Sequence, residues 1–346
     1  MTLIVPSEKL AGLITLESAI DAVAEAYRAT ARQPGFSATH TRLHYDGRRL
    51  TVHPGGSLPD RMAGLFAHFE RLDFGTSAQG YTGVGRRVYA AYDTETAELA
   101  AVILGSLPLF PFEGVDAFGT ETAITSAVGT RLLGRAESRT MALLGTGRQA
   151  RRHLLAMARL FPLTTIRVYS RDPENVERFC TEMSAYVDVR LVPATGSELA
   201  VAGADLVICA TASNVPVLNG ECLSPGAHVT SIVNGNRIAV RPGEPPRFRR
   251  EVDDATVRRA DVICAVMPEQ AIKDEQGDLA EPVLKGLIQW RDVRDLGCIL
   301  DGTQNGRTDK DQITLFKQNS DQGVGFMALA RLALEAAREH GIGVTV

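Results

Sequence analysis

Apolar and polar positions follow two different rhythms in the two parts of the chain. Residues 15–33 carry apolar side chains at helical spacing, with Thr15 as a plausible helix start. Residues 40–105 hold short apolar or alternating runs separated by turn residues, including a hairpin connection at 92–99. This part of the pattern predicts a leading helix followed by a mostly antiparallel sheet.

From about residue 120, short apolar runs alternate with amphipathic segments. The runs "TMALLG", "TIRVYS", "DLVICATAS" and "HVTSIVN" are separated by segments with helical spacing such as "RQARRHLLAMARLF". Such alternation indicates βαβ units and a parallel sheet covered on both faces. Residues 324–341, rich in Ala and Leu, predict a last helix that packs outside this sheet. The predicted fold class is α/β, with a Rossmann-type doubly wound parallel sheet.

Composition narrows the classes of function. A chain of 346 residues can form two domains. The formal net charge of −4 gives no support for nucleic-acid binding, and the apolar runs are too short for a membrane span. Five scattered cysteines without CxxC spacing argue against a disulfide framework or a zinc site. No export signal is visible at the start. We therefore expect a cytoplasmic, metal-free protein with small-molecule partners.

The turn after the predicted strand "TMALL" has the composition of a dinucleotide site. Gly145, Gly147 and Ala150 match the fingerprint G-x-G-x-x-G/A. The first glycine permits a tight turn, and the second lets a pyrophosphate approach the backbone at the start of a helix. The predicted contacts of this turn are Gly145, Thr146, Gly147, Arg148 and Gln149. The alternative is a purely structural turn.

The residues after the second predicted strand bear on the choice of cofactor. An acidic residue there would bind the ribose hydroxyls of NAD. This chain has Ser170 and Arg171, and Asp172 comes one or two places late. A hydroxyl and a guanidinium suit a 2′-phosphate better than a carboxylate does. The sequence therefore favours NADP(H) over NAD(H), unless Arg171 is only a solvated helix-start residue.

Several motifs together resemble the ornithine cyclodeaminase/mu-crystallin family. They include "ETAITSAVGTRLLGRAESRTMALLGTGRQARRHL", "VAGADLVICATASNVPVL", "LSPGAHVTSIVNGN" and "DGTQNGRTDKDQITLFKQNSDQGVG". The resemblance implies a Rossmann domain over 120–320 and a second α+β domain, for substrate binding and dimerisation, over 1–119 and 321–346. It also implies a homodimer. Members include cyclising deaminases, imine and ketimine reductases, and amino-acid dehydrogenases that use NAD(P).

The functional positions of the family carry over unevenly. The resemblance places Arg42 at the substrate carboxylate. It places these residues near the cofactor: Thr211, Ala212, Ser213, Val233 and Asn234. Lys317 in "TLFKQN" is a further cofactor-side candidate, with a structural or a catalytic role as the alternatives. Three positions depart from the family, since Gly64 replaces a lysine, Glu121 an arginine and Asn236 an aspartate. Gaining Glu121 in place of an arginine favours a cationic group on the substrate. The substrate-binding candidates are Arg42, Glu121 and Asn236.

Catalytic candidates come from the divergent first part of the chain. His68 and Glu70 are two residues apart, so on a strand they face the same side and can form an acid–base pair. His53 is the third candidate. The alternative for each histidine is a hydrogen-bonded residue at a sheet edge.

Three functions are compatible with this sequence. The favoured one is an NAD(P)-dependent oxidoreductase that transfers a hydride between the nicotinamide and the C–N carbon of a small amino or imino substrate. The second is an ammonia-releasing lyase of the cyclodeaminase type. The third is a non-catalytic NAD(P)-binding accessory protein, because several family positions are replaced.

Overall fold

A computed structural model gives the architecture of the chain. It describes residues 1–72, 81–112, 119–233, 248–319 and 322–346. The chain divides into two compact units, one comprising Met1–Thr125 with Asp321–Val346 and the other Ser126–Ser320. The first division falls inside helix α2 (Thr120–Leu133).

The first unit contains a mixed sheet in which most neighbouring strands are antiparallel. Its strands are β1 (Leu3–Pro6), β2 (Thr41–Tyr45), β3 (Arg48–Ser57), β4 (Met62–Leu72), β5 (Tyr81–Val84), β6 (Val88–Asp93), β7 (Leu99–Leu104) and β16 (Val344–Thr345). They lie in the order β16-β1-β7-β6-β4-β3-β2, with β5 paired to β4. Only β1 and β7 pair in parallel among these described strands. The predicted antiparallel region and its hairpin are present.

Two helices complete the first unit, α1 (Leu16–Thr30) and α10 (Gly323–Glu339). Helix α1 begins where the sequence predicts, because the Thr15 hydroxyl accepts a hydrogen bond from the Ser18 N–H at 3.1 Å. Helix α10 packs on α1 and against β3 and β4. It therefore covers the sheet of the first unit, as expected for a helix outside the parallel sheet.

The second unit is built on a wholly parallel sheet. Its strands are β8 (Thr140–Leu144), β9 (Thr165–Tyr169), β10 (Arg190–Pro193), β11 (Leu206–Cys209), β12 (His228–Ser231), β13 (Val262–Ala265), β14 (Val293–Asp295) and β15 (Thr314–Lys317). They lie in the order β10-β9-β8-β11-β12-β15-β13-β14. The order reverses between β8 and β11, which creates the crevice where ligands bind in such sheets.

Helices connect these strands, as the alternating pattern predicts. Besides α2, they are α3 (Arg148–Leu160), α4 (Pro173–Met183), α5 (Ser197–Val201), α6 (Asp254–Arg259), α7 (Pro268–Lys273), α8 (Gly277–Leu284) and α9 (Leu296–Asp301). The central strands β11, β12, β13 and β15 are buried on both faces, with Leu144, Val229 and Leu315 fully excluded from solvent in one core. Among the described residues, no helix is both long enough and apolar enough to cross a bilayer.

Candidate functional site

The turn after β8 has no room for a side chain at its first glycine. Gly145 has a φ of +120°, and a Cβ there would lie 2.2 Å from the Ala210 carbonyl oxygen. The Gly145 N–H donates to the Tyr169 carbonyl at 2.8 Å, which fixes the turn to the end of β9. Only glycine satisfies both the positive φ and this close approach. The turn therefore lies directly at the point where the strand order reverses.

The second glycine of the turn is open instead of crowded. Gly147 is exposed, and a Cβ added there would meet no atom within 4 Å. It precedes α3 without a side-chain cap, so the first N–H groups of a 13-residue helix have no capping side chain. The Gln149 Oε1 atom is buried and accepts no hydrogen bond from the described residues. Donors at a helix start and an open backbone fit an anionic phosphate group.

Arg151 anchors this turn and was not among the sequence candidates. Its guanidinium donates to the Thr146 carbonyl at 2.8 Å and binds both carboxylate oxygens of Glu182, at 2.8 and 2.6 Å. It also lies over the Phe179 ring, 5.2 Å from the ring centroid. The hydrogen bonds to Glu182 raise the pKa of Arg151. Nothing in the fingerprint spacing indicates this contact, because its partners come from α4.

The end of β9 presents a hydroxyl and a guanidinium. Ser170 is half-buried and Arg171 is exposed. The following acid, Asp172, caps α4 by accepting the Glu174 N–H at 3.0 Å. The carboxylate of Asp172 is therefore engaged by the helix start. It lies beyond the position after β9 where an acid would bind the ribose hydroxyls of NAD.

The loops after β11 and β12 share one buried acceptor. The Thr211 N–H and hydroxyl donate to Glu251 Oε1 at 2.6 and 2.8 Å. The Ile232 and Val233 N–H groups donate to Glu251 Oε2 at 2.9 and 2.7 Å. Beyond Thr211, Ala212 and Ser213 are half-buried, and the Ser213 N–H donates to the Thr211 hydroxyl at 3.1 Å. Asn234 and Asn236, two further sequence candidates, lie outside the described residues.

Lys317, at the end of β15, has the surroundings of a structural residue, which is one of the roles that the sequence left open. Its side chain is fully buried, and its ammonium group donates to the Val233 carbonyl and to Asp278 Oδ2, both at 2.7 Å. A third bond, of 3.2 Å, reaches the Ser231 hydroxyl. With all three hydrogens directed at protein acceptors, Lys317 supports the Val233 loop from within and is not available as a direct cofactor contact.

The candidates of the first unit lie on one face of its sheet. Register pairs Arg42 with Thr51, Thr51 with His68, and His53 with Phe66. Residues paired across adjacent strands point to the same face. The His53 and His68 ring centroids are 5.7 Å apart, and His53 is buried against Phe326 of α10, 5.0 Å away. The structure therefore brings Arg42, His53, His68 and Glu70 into one cluster.

His68 and Glu70 lie beside each other on β4, as their spacing predicts. His68 Nδ1 lies 3.5 Å from Glu70 Oε1, while Arg49 donates to the other oxygen of Glu70 at 2.6 and 2.5 Å. Burial, followed by the charges of Arg49, Arg87 and Arg42, lowers the pKa of His68 to about 3. His68 is thus neutral near pH 7 and Glu70 is bound by Arg49. These surroundings do not favour proton transfer by the pair, and its catalytic role stays a prediction.

Glu121 and Gly64 are two positions at which the sequence departs from the family pattern, and the structure shows what surrounds each. Glu121 at the start of α2 is 4% exposed and accepts a hydrogen bond from the Tyr89 hydroxyl. At Gly64 a Cβ would lie 2.0 Å from the Ala90 carbonyl oxygen. No lysine can occupy that position on this backbone. Within the described residues, no group of three or more His, Cys, Asp or Glu side chains is arranged to hold a metal ion.

The parallel sheet, its reversal point and the glycine turn at the start of α3 define the second unit as a Rossmann-type domain. The model of the ornithine cyclodeaminase/mu-crystallin family matches residues 113–333. The chain belongs to this family, as the sequence motifs predict.

Individual relatives are distant and partly matched. Ornithine cyclodeaminase of Agrobacterium fabrum is 30% identical over 67% of this chain and 60% of its own length. Ketimine reductase mu-crystallin of Mus musculus is 31% identical over 69% of this chain and 75% of its own length. The chain therefore spans less than two thirds of the length of this cyclodeaminase. The same holds for two other relatives, from Rhizobium meliloti and Sinorhizobium fredii, of whose own lengths it covers 64% and 63%.

Solved structures share the fold over the whole chain. The Thermococcus litoralis Δ1-pyrroline-2-carboxylate reductase, solved in complex with NADH and L-proline, has a TM-score of 0.82 at 23% identity. The superposition covers 99% of this chain and 100% of that one. At this identity the likeness establishes the fold.

The neutral state of His68 predicts a pH effect on stability. With a folded-state pKa of about 3 and an ordinary value of 6.5, His68 stabilises the fold fully above pH 6.5 and loses this contribution as the pH falls below it. Between pH 7 and pH 5 the loss is about 2 kcal/mol. In His68→Gln, the free energy of unfolding should fall correspondingly less over this interval, as measured by urea denaturation. His340→Gln, at the end of α10, is the control and should follow the parent protein. Identical pH dependence of His68→Gln and the parent would contradict the assignment.

Proposed function

We propose that the protein is an NAD(P)-dependent oxidoreductase that transfers a hydride between the nicotinamide and the C–N carbon of a small amino or imino substrate. The observation that carries this proposal is the open Gly147 backbone at the start of α3, placed at the reversal point of a parallel sheet. Membership of a family that includes a ketimine reductase and Δ1-pyrroline-2-carboxylate reductases supports it.

The second unit has the residues to hold the dinucleotide. The N–H groups at the start of α3 would bind the pyrophosphate, with Arg151 fixing the turn through the Thr146 carbonyl. The loops at Thr211 and Val233 would lie beside the nicotinamide half. When bound, the dinucleotide supplies hydride chemistry. The chain itself must orient the two reactants and manage one proton.

The first unit has the residues to recognise a carboxylate on the substrate. Arg42 lies in a cluster with Arg49 and Arg87, whose charges all act on His68. Three guanidinium groups in one cluster supply positive charge of the kind that binds a carboxylate. We assign Arg42 to the substrate carboxylate and Glu121 to its amino or imino group. We propose His53 before His68 and Glu70 as the group that manages the proton, because burial and nearby arginines keep His68 neutral and Arg49 holds Glu70.

Two alternative functions are separated by one set of assays. Cyclic imines, and keto acids mixed with amines, are supplied together with NADH or NADPH, and oxidation of the cofactor is followed by its absorbance. The proposal expects consumption of the reduced cofactor with at least one imine. Ammonia release from a diamino acid without net change in absorbance would favour the lyase. Binding of the cofactor without turnover of any substrate would favour a carrier.

The cofactor turn can be tested without knowing the substrate. Gly147→Asp places a carboxylate where the pyrophosphate would lie, and should weaken dinucleotide binding by more than about 100-fold, measured by calorimetry. Gly196→Asp is a matched control, because Gly196 also precedes a helix of the second unit and also has open space around its Cβ position. Retained affinity in Gly147→Asp would refute the placement.

We propose that Ser170 and Arg171 determine whether the chain prefers NADP(H) or NAD(H). The solved relatives from Thermococcus litoralis and Paracoccus denitrificans are complexes with NADH and NAD⁺. Here the acid after β9 is engaged by the start of α4, and a guanidinium stands beside the site instead. We therefore propose that this chain prefers NADP(H).

Arg171→Asp should reverse this preference. The substitution removes the partner of a 2′-phosphate and adds a repelling carboxylate, so the NADPH-to-NADH affinity ratio should fall by about 10- to 100-fold. Arg190→Asp, the same charge change at the start of β10, is the control and should leave the ratio unaltered. An unchanged ratio in Arg171→Asp removes the basis for the NADP(H) assignment.

A homodimer is the assembly we propose. One face of the sheet of the first unit carries His53 and His68. On the opposite face, Leu43, Leu50 and Phe69 are paired across β2, β3 and β4. Leu43 and Phe69 are 59% and 44% exposed in the single chain. Exposed apolar side chains in one row are typical of an interaction surface. The archaeal alanine dehydrogenase of the same fold is described as a dimer, which favours a second copy as the occupant.

The double variant Leu43→Asp with Phe69→Asp should convert a dimer into a monomer, because it places four carboxylates in the apolar contact. Light scattering after size-exclusion chromatography should report a mass near that of one 37.2 kDa chain instead of two. Leu199→Asp, on exposed α5 of the second unit, should remain dimeric. A parent protein that is already monomeric would overturn the proposed assembly.

A further inference from the structure

A chain of buried contacts joins the carboxyl ends of three neighbouring strands. Lys317, at the end of β15, donates to Asp278. Asp278 in turn accepts the backbone N–H groups of Glu251 and Val252 at 2.8 and 3.2 Å. The Glu251 carboxylate then accepts from the loops after β11 and β12. The contacts follow one another in series: Lys317 holds Asp278, Asp278 holds Glu251, and Glu251 holds the two loops.

The charges in this chain of contacts are completely shielded from water. Lys317, Asp278, Glu251 and Ser231 are each 0% exposed. The Ser231 hydroxyl lies 2.6 Å from Asp278 Oδ2 and 3.1 Å from Glu251 Oε2 and connects the two acids. Buried charges of this kind persist only when each is paired and hydrogen-bonded.

Electrostatics distinguishes the two acids. Burial raises the pKa of the Glu251 carboxyl, against the opposing charge of Lys317 and the donors of Thr211. For Asp278 burial acts in the same direction, but the charge of Lys317 and the hydrogen bonds from Lys317, Ser231 and Val252 outweigh it and lower the pKa. The geometry separates their roles: Lys317 donates directly to Asp278 at 2.7 Å, whereas Glu251 accepts from Thr211, Ile232 and Val233 of the two loops.

We propose that Glu251 is a positioning residue that fixes the loops after β11 and β12 relative to each other, and thereby sets how tightly the nicotinamide half of the dinucleotide is held. Glu251 acts through backbone groups of Thr211, Ile232 and Val233 and does not itself contact the cofactor. The inference rests on the proposed function, since it assumes that a dinucleotide binds to this unit.

A single carboxylate serving two loops has a specific consequence. Its two oxygens accept three backbone N–H groups, and no neutral side chain of the same size offers two acceptors with no donor. Glutamine would turn an N–H₂ group toward backbone donors, so one loop would lose its partner. The glycine turn after β8 makes no hydrogen bond to Glu251 among the described contacts, and the adenosine half should keep its affinity.

The test compares two probes in the full-length protein. Calorimetry gives the affinities of NADPH and of 2′-phospho-ADP-ribose, which lacks the nicotinamide, and their ratio isolates the nicotinamide half. In Glu251→Gln this ratio should fall by about tenfold, while the fragment binds within about twofold of the parent. Asp205→Asn is the matched control, because Asp205 also accepts two backbone N–H groups, at the opposite end of the same sheet. Its ratio should be unchanged even where its melting temperature falls.

A milder variant covers the case in which Glu251→Gln does not fold. Ser231→Ala removes the hydroxyl between the two acids and keeps Lys317 paired with Asp278, so the ratio should fall by about threefold. An unchanged ratio in the folded variants, with the parent binding both probes, overturns the inference and leaves the proposed function intact. A parent protein that binds neither these probes nor NADH and ADP-ribose overturns both; if it binds only the unphosphorylated pair, the same ratio is measured with NADH and ADP-ribose.

Discussion

Backbone N–H groups at the carboxyl ends of a buried parallel sheet need acceptors, and this requirement shapes the second unit. The strands end in loops that have left the regular hydrogen-bond ladder but are still buried or half-buried. An unmade hydrogen bond there costs about 1–3 kcal/mol for each group. Glu251 satisfies three such groups at once, and Lys317 with Asp278 makes the burial of that charge tolerable. The fold and the cofactor-side loops therefore depend on the same few contacts.

Local patterns were sufficient to predict the second unit. The alternation of apolar runs with helical segments predicts the parallel sheet, and the spacing of Gly145, Gly147 and Ala150 predicts the turn at its reversal point. Glu251 and Asp278 could not be found in this way. They lie in separate segments far from Lys317 in sequence, and an isolated acid carries no sign that it will be buried beside a lysine. Long-range ion pairing becomes visible only when the strands are placed side by side.

In the first unit, the sequence predicted which side chains lie on the same face as the histidines better than it predicted the protonation of His68. The period of two correctly puts His68 and Glu70 on one face of β4. The protonation of His68 depends first on its burial, and then on the charges of Arg49 from β3, Arg87 before β6 and Arg42 from β2. Burial and guanidinium groups from neighbouring segments together keep the ring neutral, and Arg49 occupies the Glu70 carboxylate. Spacing along one strand contains no information about that neighbour.

In many nucleotide-binding domains an acid near this position binds the ribose hydroxyls, but here Asp172 caps α4. Asp172 holds the helix start, and Ser170 and Arg171 beside it have no part in that hydrogen bond. Exchanging these two side chains therefore leaves the cap of α4 in place. Under the cofactor preference proposed above, discrimination between phosphorylated and unphosphorylated riboses can change at this edge while the architecture around it stays constant.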